Sequence, residues 1–314
     1  MDTNVIDVSR LRKSYGSHVA VRDVSFAVER GEIFGIVGPN GAGKTSTVEC
    51  IEGLRKPDAG SIRVLGLDPV ADAAAMRRRV GAQLQESQLP AKMRVGEALD
   101  LYASFYAEPA DCSALLEALG LADKTRRSFE QLSGGEKQKL SVALALVGNP
   151  EVAILDELTT GLDPHARREM WQLIKEIRAR GVTIVLVTHF MEEAERLCDR
   201  IAVFDAGQVV AVDTPAGLVS RVNSRQYIRF RSEELFDLAL LSALPEVTSV
   251  SRTGSETVVG GTENALNAVV SVLARHEILA KGLQVEQMTL DDAFVALTAA
   301  HPAGHSGHQH GVTR

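Results

Sequence analysis

The chain has 314 residues, a formal net charge of −7 and three cysteines. This length predicts one large domain together with a smaller one. The acidic balance argues against a nucleic-acid partner, which would need a basic face. The cysteines, Cys50, Cys112 and Cys198, are odd in number, widely spaced and without a metal-binding pattern, so we expect plain packing in a reducing compartment.

No targeting or membrane-spanning segment is recognisable. The first residues, 1–4, lack the basic and apolar regions of a secretory signal. No apolar run approaches the ~20 residues that a membrane-spanning helix needs. If a membrane pathway is involved, we expect another polypeptide to supply it.

Residues 4–37 contain three β-type runs. The run at 20–28 alternates apolar and polar residues, and the short apolar run at 32–37 predicts a buried strand. A glycine-rich segment follows at 38–45, and the absence of Gly and Pro from Thr45 until Gly53 predicts a helix at 45–54. Strand, glycine loop and helix therefore follow one another directly.

The glycine-rich segment matches the phosphate-binding motif G-x-x-x-x-G-K-T. Glycines let the backbone fold tightly enough for its N–H groups to face phosphates, and a helix N-terminus adds partial positive charge. Lys44 is predicted to reach the β- and γ-phosphates of a nucleotide, and the hydroxyl of Thr45 is predicted to bind Mg²⁺. The motif in this context predicts a nucleotide triphosphatase.

A strand is predicted at 80–85, and the rest of residues 72–130 is predicted to be mainly helical. Helices are predicted at 95–106 and at 113–119, and Gly120 ends the second of them. From residue 132 the chain returns to α/β alternation, with strands predicted at 151–155, 182–187, 200–204 and 208–212. The alternation implies a largely parallel sheet with right-handed crossovers.

Several short motifs follow in this second α/β stretch. Residues 132–136 read Leu-Ser-Gly-Gly-Glu before a predicted helix at 137–147, and an apolar strand then ends in Asp156 and Glu157. Asp156 fits the Mg²⁺-associated acid of a phosphate-loop enzyme, and Glu157 fits a base that polarises the attacking water. Asp163 precedes a proline, which predicts a helix start, and His189 follows the strand at 182–187.

In this order the motifs resemble those of the ATP-binding cassette (ABC) ATPases over residues 4–220. The resemblance implies ATP and Mg²⁺ as ligands and ATP hydrolysis as the activity. The implied ATP-binding residues are Tyr15, Gly38, Pro39, Asn40, Gly41, Ala42, Gly43, Lys44, Thr45 and Ser46. The implied Mg²⁺ ligands are Thr45, Gln85 and Asp156.

The resemblance also assigns catalytic and contact roles. It implies that Glu157 is the catalytic carboxylate, that His189 senses the γ-phosphate and that Asp163 contacts a second copy. The implied signature residues, which act on the ATP of the other copy, are Ser133, Gly134, Gly135 and Glu136. Two positions depart from the family pattern, since Glu136 stands where Gln is commoner and Leu158 where Pro is usual. Neither change removes a ligand of phosphate, metal or water.

Some residues keep simpler interpretations. Tyr15 could be a surface aromatic at the end of a strand rather than the residue that stacks on adenine, and His189 could be a core histidine. Asp163 could serve as a helix cap as well as a contact. Gln83 lies close enough to Gln85 to be an alternative for the glutamine position.

Beyond residue 221 the element order changes to β-α-β-β-α-β, which predicts a ferredoxin-like unit at 221–299. Its strands are predicted at 226–231, 247–252, 256–259 and 282–287, and its helices at 233–244 and 264–276. A capped helix at 289–297 resembles the Leu-Glu-Asp-x-Phe ending of drug-exporter ABC ATPases of the daunorubicin-resistance type. Without a catalytic cluster, this unit is predicted to be a regulatory or dimer-stabilising appendage.

Residues 300–314 form a tail rich in Gly and His. Neutral imidazoles can bind Zn²⁺ or Ni²⁺, but we expect a disordered terminus because nothing nearby is apolar enough to order it.

The sequence therefore predicts an α/β fold, a phosphate-loop NTPase core of the ABC type with a helical subdomain at about 86–145 and a small α+β C-terminal domain. The resemblance implies the ATP-hydrolysing subunit of an ABC exporter, working as a homodimer with a separate integral-membrane permease. Its expected location is peripheral, at the cytoplasmic face of the cell membrane. The alternatives are the ATPase of an ABC importer, a soluble ABC ATPase without a transport role, and a regulator without turnover, which Glu157 and His189 argue against.

Overall fold

The computed structural model describes residues 4–83, 89–222, 226–262, 264–286 and 288–299. The chain divides into two compact units, the first ending at Pro215 and the second beginning at Ala216. Gln85 and the tail at 300–314 lie outside the described residues. No helix within the described ranges has both the length and the apolar character needed to cross a membrane.

The described part of the first unit contains a nine-stranded sheet with the order β4-β1-β2-β9-β8-β3-β7-β6-β5. Its strands are β1 (Asn4–Tyr15), β2 (His18–Glu29), β3 (Ile33–Val37), β4 (Ala59–Val64), β5 (Val80–Gln83), β6 (Val152–Asp156), β7 (Thr183–Thr188), β8 (Arg200–Asp205) and β9 (Gln208–Asp213). The helices of the first unit are α1 (Lys44–Ile51), α2 (Ala73–Met76), α3 (Val95–Ala103), α4 (Cys112–Ala118), α5 (Gly134–Leu146), α6 (Pro164–Ala179) and α7 (Met191–Leu197). Helix α8 (Pro215–Arg221) begins at the boundary between the units. Short 3₁₀ helices lie at Ala122–Lys124 and Phe129–Gln131.

The sheet is mixed rather than largely parallel throughout. Strands β8, β3, β7, β6 and β5 run parallel to one another, as predicted. Strand β1 pairs antiparallel with both β2 and β4, and β9 pairs antiparallel with β8. Only two residues join β1 to β2, and two join β8 to β9, and so short a connection can form only an antiparallel pair.

The central strands are buried from end to end. Every residue of β3, β6 and β7 is buried, because helices cover both faces of a parallel sheet. Aromatic packing joins β3 to the antiparallel edge, since the ring of Phe26 stacks on that of Phe34 with centroids 5.3 Å apart. The ring of Phe204, on β8, meets the Phe26 ring edge-on, with centroids 6.1 Å apart. This core supports the carboxyl ends of β3, β6 and β7.

Several element boundaries differ from the sequence prediction. The helix predicted at 45–54 ends at Ile51, ahead of Gly53, whose φ of 72° is not helical. The helix predicted at 95–106 ends at Ala103. The helix predicted at 137–147 begins earlier, at Gly134, because a capping box starts it. Strand β4 was not predicted, and α2 lies in the stretch predicted to be mainly helical.

The second unit contains, within its described residues, a four-stranded antiparallel sheet with the order β11-β12-β10-β13. Its elements are β10 (Gln226–Arg231), α9 (Ala239–Ser242), β11 (Val247–Thr253), β12 (Glu256–Gly261), α10 (Ala265–Arg275), β13 (Lys281–Glu286) and α11 (Leu290–Ala299). The small buried core of this unit includes Ile228, Phe230, Leu241, Val259 and Val269. The elements follow in the predicted order, and the ferredoxin-like classification stays a prediction.

One helix of this unit is much shorter than predicted. The predicted segment, 233–244, is helical only at Ala239–Ser242. Arg252 of β11 donates through Nη2 to the carbonyl oxygens of Ser232 and Glu234, at 3.4 and 3.2 Å. Asp237 then accepts from the backbone N–H of Ala239 at 2.9 Å and starts the helix there. A contact from a distant strand thus keeps the preceding residues out of the helix.

Candidate nucleotide-binding site

The phosphate loop joins β3 to α1. Gly41 and Gly43 adopt left-handed φ angles of 82° and 93°, which suit glycine because it has no Cβ. A Cβ at Gly43 would overlap the carbonyl oxygen of Ala20, and one at Gly38 would overlap the carbonyl oxygen of Phe204. The loop is therefore folded tightly against the sheet, with α1 beginning directly after it.

Lys44 is held on the inner side of this loop. Lys44 is only 7% exposed. Its Nζ atom donates to the carbonyl oxygens of Gly38 and Pro39 at 2.8 and 3.0 Å. Burial lowers the pKa of the Lys44 ammonium, while the charges of Glu157 and Asp156 oppose that change. A buried ammonium enclosed by a loop at a helix N-terminus is suited to bind an anion.

The hydroxyl residues of α1 divide into two groups. Thr45 is exposed and Ser46 is half-buried at the start of the helix, beside the loop. Thr47 is fully buried, and its Oγ1 donates to the carbonyl oxygen of Gly43 at 2.9 Å. Thr47 therefore stabilises the loop, and it was not predicted as a site residue. Within the loop, all of which the structure describes, the hydroxyls of Thr45 and Ser46 make no such bond.

Asp156 and Glu157 lie at the carboxyl end of β6. Asp156 is 8% exposed. Burial and the charge of Glu157, opposed by the charge of Lys44, together raise the pKa of the carboxyl to about 6. Glu157 is half-buried, and its backbone has a left-handed φ of 48°. The two carboxylates and the Lys44 ammonium therefore interact electrostatically.

His189 meets Glu157 at this edge of the sheet. Its Nδ1 atom lies 3.0 Å from Oε1 of Glu157. The contact arises because β7, which leads to His189, lies beside β6 and runs parallel to it. Strand β3 pairs with the other side of β7, so the phosphate loop emerges at the same edge. The sheet thus brings together Lys44, Asp156, Glu157 and His189.

Tyr15 lies at the end of β1 and is 40% exposed. Its hydroxyl donates to Oε2 of Glu49 on α1 at 3.4 Å. The Lys13 ammonium and the Arg55 guanidinium lie 5.5 and 5.9 Å from the ring centroid. The ring is therefore held beside the helix that follows the phosphate loop, and its stacking on adenine stays a prediction.

The signature residues form the start of α5. Ser133 is the N-cap, and its Oγ accepts from the backbone N–H of Glu136 at 3.2 Å, while Oε2 of Glu136 accepts from the backbone N–H of Ser133 at 2.8 Å. That second bond, more than any other contact, lowers the pKa of Glu136. The unusual Glu at this position thus completes a capping box. Ser133 and Gly134 remain exposed, and Gly135 is half-buried.

Asp163 is the N-cap of α6, with Pro164 in the first turn. Its Oδ1 accepts from the backbone N–H groups of His165 and Ala166 at 2.8 and 3.0 Å, and these bonds lower the pKa of the carboxyl. The predicted cap is therefore present. Among the described residues, no hydrogen bond or ion pair joins Asp163 or the signature turn to the phosphate loop.

The glutamine position keeps both candidates. Gln83 ends β5 and is 5% exposed, and its Nε2 donates to Oε1 of Gln138 at 3.1 Å. Gln85, the predicted Mg²⁺ ligand, lies outside the described residues. Gln83 is thus tied to α5, and the assignment of Gln85 stays a prediction.

Glu52 is a titratable group that the sequence interpretation missed. It caps the C-terminus of α1 and is 8% exposed. Burial, together with the charges of Asp156 and Glu49, raises the pKa of its carboxyl to about 7. In the sequence, the indication of a buried acid here was a single acidic residue between Ile51 and Gly53. The electrostatic interaction with Asp156 connects Glu52 to the acidic end of the site.

Known proteins resemble the chain in both sequence and fold. The family described as ABC transporter matches residues 21–160. A Nod factor export ATP-binding protein I from Rhizobium etli is 41% identical over 227 residues, which cover 71% of this chain and 72% of the relative. The protein of the same name from Ralstonia nicotianae is 36% identical over 304 residues and covers 94% of each chain. A solved ATP-binding subunit of an ABC transporter, 30% identical, superposes with a TM-score of 0.63 over 69% of this chain and 92% of that chain.

These similarities agree with the site geometry. The matched family region includes the phosphate loop together with Asp156 and Glu157, and the relative from Ralstonia nicotianae is similar along nearly its whole length. The chain therefore belongs to the ATP-binding subunits of ABC transporters, which are ATPases coupled to transport.

Proposed function

We propose that this chain is the ATP-hydrolysing subunit of an ABC exporter and drives transport through a separate integral-membrane permease. The observation that carries the proposal is the contact between Glu157 and His189 beside the phosphate loop, 3.0 Å from Oε1 to Nδ1. The names of the relatives, which refer to Nod factor export, favour an exporter over an importer. They also make Nod factor, or a molecule of similar chemistry, the first substrate to test.

The residues of the site fit ATP together with Mg²⁺. Mg²⁺ prefers oxygen ligands and keeps several waters when it binds with substrate phosphates. The hydroxyl of Thr45 and the carboxylate of Asp156 are such ligands. Burial beside Glu157 raises the pKa of Asp156 to about 6, and a nearby divalent cation would favour the ionised form of that carboxyl. When bound, Mg²⁺ would neutralise charge on the β- and γ-phosphates.

In ATP hydrolysis the residues of the site would have different roles. Lys44 and the loop N–H groups would bind and orient the phosphates, with Thr45 and Ser46 beside them. Glu157 would polarise the attacking water, because its carboxylate lies half-buried at the end of β6 and can accept a proton. His189 would hold Glu157 in place and contact the γ-phosphate. Such positioning and charge neutralisation supply most of the rate gain in phosphoryl transfer.

The proposed assembly is a head-to-tail homodimer. Each ATP would lie between Lys44 of one copy and Ser133 of the other, with the exposed N-terminus of α5 facing the γ-phosphate and Asp163 at the contact. In this arrangement residues 4–220 form the ATPase domain, and its helical subdomain at about 86–145 transmits motion to the permease. Residues 221–299 form a ferredoxin-like accessory domain, and the subunit lies peripherally at the cytoplasmic face of the membrane.

The first test measures ATPase activity of the purified protein with Mg²⁺, using Lys44→Ala as the inactive control. We expect turnover in the wild type and loss of both ATP binding and turnover in Lys44→Ala. The second test fractionates cells that express the protein with and without a candidate permease. We expect recovery with membranes only when the permease is present. Turnover that survives Lys44→Ala would contradict the proposed site, and salt-resistant membrane association of the subunit alone would contradict the proposed partnership.

A further inference from the structure

We infer that Arg167 is a positioning residue that holds His189 in its contact with Glu157. The inference rests on the catalytic roles proposed above for those two residues. The guanidinium carbon of Arg167, on α6, lies 5.1 Å from the ring centroid of Phe190. The Phe190 ring in turn lies 4.1 Å, centroid to centroid, from the imidazole of His189. Contacts therefore run without interruption from Arg167 to the carboxylate of Glu157.

The aromatic ring is the contact that orients this cation. The Nε atom of Arg167 is buried and has no hydrogen-bond partner among the described residues. A cation over an aromatic face is attracted by the ring quadrupole, and the attraction grows when the pair is removed from water. Phe190 thus contacts both the Arg167 cation and the His189 imidazole.

Helix α6 is fixed to α7, so Arg167 acts from a rigid support. Trp171, one turn beyond Arg167, donates through Nε1 to Oε1 of Glu193 at 3.2 Å. Trp171 is 7% exposed and Glu193 is 0% exposed. Arg196 of α7 covers the Trp171 ring at 5.3 Å from its centroid. Because Arg167 and Trp171 are four residues apart, they lie on the same face of α6.

His189 needs such support because it is partly in solvent. Its side chain is 36% exposed, so packing surrounds the imidazole on fewer sides than it would surround a buried ring. The backbone on either side of it is anchored, since the N–H of Phe190 donates to Oγ1 of Thr188 at 3.0 Å, but this bond does not itself orient the imidazole. The contact of Phe190 with Arg167 restricts the ring against which the imidazole packs. Loss of the Arg167 cation would therefore weaken the orientation of His189 and, through it, of Glu157.

The test compares steady-state ATPase kinetics of the full chain with Arg167→Gln, Phe190→Leu and the double variant. We expect each single change to lower kcat about five- to tenfold while KM for ATP stays within about twofold, because the phosphate loop is untouched. The double variant should resemble either single variant rather than show the product of both effects, since the two residues act through one contact. Arg167→Lys, which keeps a cation, should recover most of the lost kcat.

Arg168→Gln is the matched control. Arg168 is exposed on the same helix, and its Nε donates to the carbonyl oxygen of Pro164 at 3.1 Å, so we expect kcat to be unchanged. Thermal melting and ATP-binding affinity check that each variant folds. If Arg167→Gln does not fold, Phe190→Leu decides alone, because it removes the intermediate ring and leaves the Trp171–Glu193 bond in place.

Two outcomes would contradict this positioning role. One is normal kcat in a folded Phe190→Leu or Arg167→Gln protein. The other is multiplication of the two effects in the double variant. A wild-type protein without ATPase activity would instead contradict the proposed function on which the inference rests.

Discussion

The Nδ1 atom of His189 and the Oε1 atom of Glu157 lie 3.0 Å apart at the ends of two neighbouring parallel strands. The register of β6 and β7 produces this contact, since Asp156 pairs with Val187 and the backbone N–H of Glu157 donates to the Val187 carbonyl oxygen at 2.9 Å. The sheet thus fixes both side chains beside the phosphate loop without any local sequence connection between them.

Glu157→Gln should separate ATP binding from hydrolysis. The substitution keeps size and hydrogen-bonding capacity but removes the charge that polarises water, so we expect turnover to fall by about 10²-fold or more. ATP affinity should be retained because Lys44 and the loop are unchanged. With ATP and Mg²⁺ persisting in the site, the variant should form a stable dimer on size-exclusion chromatography.

The same experiment has its own control in Lys44→Ala. That variant should remain monomeric with ATP, because it lacks the ammonium that Gly38 and Pro39 hold at the loop. A Glu157→Gln protein that hydrolyses ATP at the wild-type rate, or stays monomeric with ATP, would contradict the proposed mechanism.

Glu52→Gln should stabilise the protein in a pH-dependent manner. The pKa of Glu52 is raised from 4.5 to about 7, so the folded state binds this proton more tightly than the unfolded state does. The stability contributed by the neutral carboxyl is therefore complete below pH 4.5 and is lost as the pH rises through 7.

Because glutamine stays neutral, the variant should be more stable than the wild type by about 1–3 kcal/mol above pH 7. The difference should shrink as the pH falls toward 4.5. Urea unfolding at several pH values measures it. A difference that is constant across the pH range would show that ionisation of Glu52 is not its cause.

Gly43→Ala and Gly41→Ala test the close packing of the loop. Both glycines have positive φ, so an alanine at either position should cost about 1–2 kcal/mol of folding free energy. A Cβ at Gly43 would also overlap the Ala20 carbonyl oxygen, whereas none of the described atoms lies within 4 Å of a Cβ at Gly41. We therefore expect Gly43→Ala to lose about 1–3 kcal/mol more. Equal losses in denaturant unfolding would argue against the tight contact with β2.

Two serines of the α5 segment should respond oppositely to alanine. Ser133 caps the helix, and its loss should lower the unfolding free energy by about 1 kcal/mol. Ser141 is buried, and its hydroxyl has no hydrogen-bond partner within the described ranges. Ser141→Ala should therefore be neutral or slightly stabilising, since it removes an unsatisfied polar group. The two thermal melting curves provide the comparison, and a larger loss at Ser141 would contradict it.

Local patterns predicted the parts of the site that local chemistry determines. The loop before Lys44 requires glycines at fixed positions, and the apolar strand before Asp156 is short and uninterrupted, so both were recognisable from the sequence. The cap at Asp163 followed from the proline after it. In each case the residues that specify the feature are adjacent in the chain.

Features that depend on distant contacts were not predictable in the same way. The helix predicted at 233–244 was too long at its start, because Arg252 binds the carbonyl oxygens of Ser232 and Glu234. The raised pKa of Glu52 depends on its burial and on the charge of Asp156. Nothing in the neighbouring sequence of either segment encodes these interactions.

The left-handed backbone of Glu157 has a consequence for how this protein balances stability against activity. A non-glycine residue at a φ of 48° stores strain on the order of 1 kcal/mol. Glycine or asparagine would relieve part of that strain, but either would remove the carboxylate proposed to activate water. On that proposed role, relief of the backbone strain at this position would come at the expense of turnover.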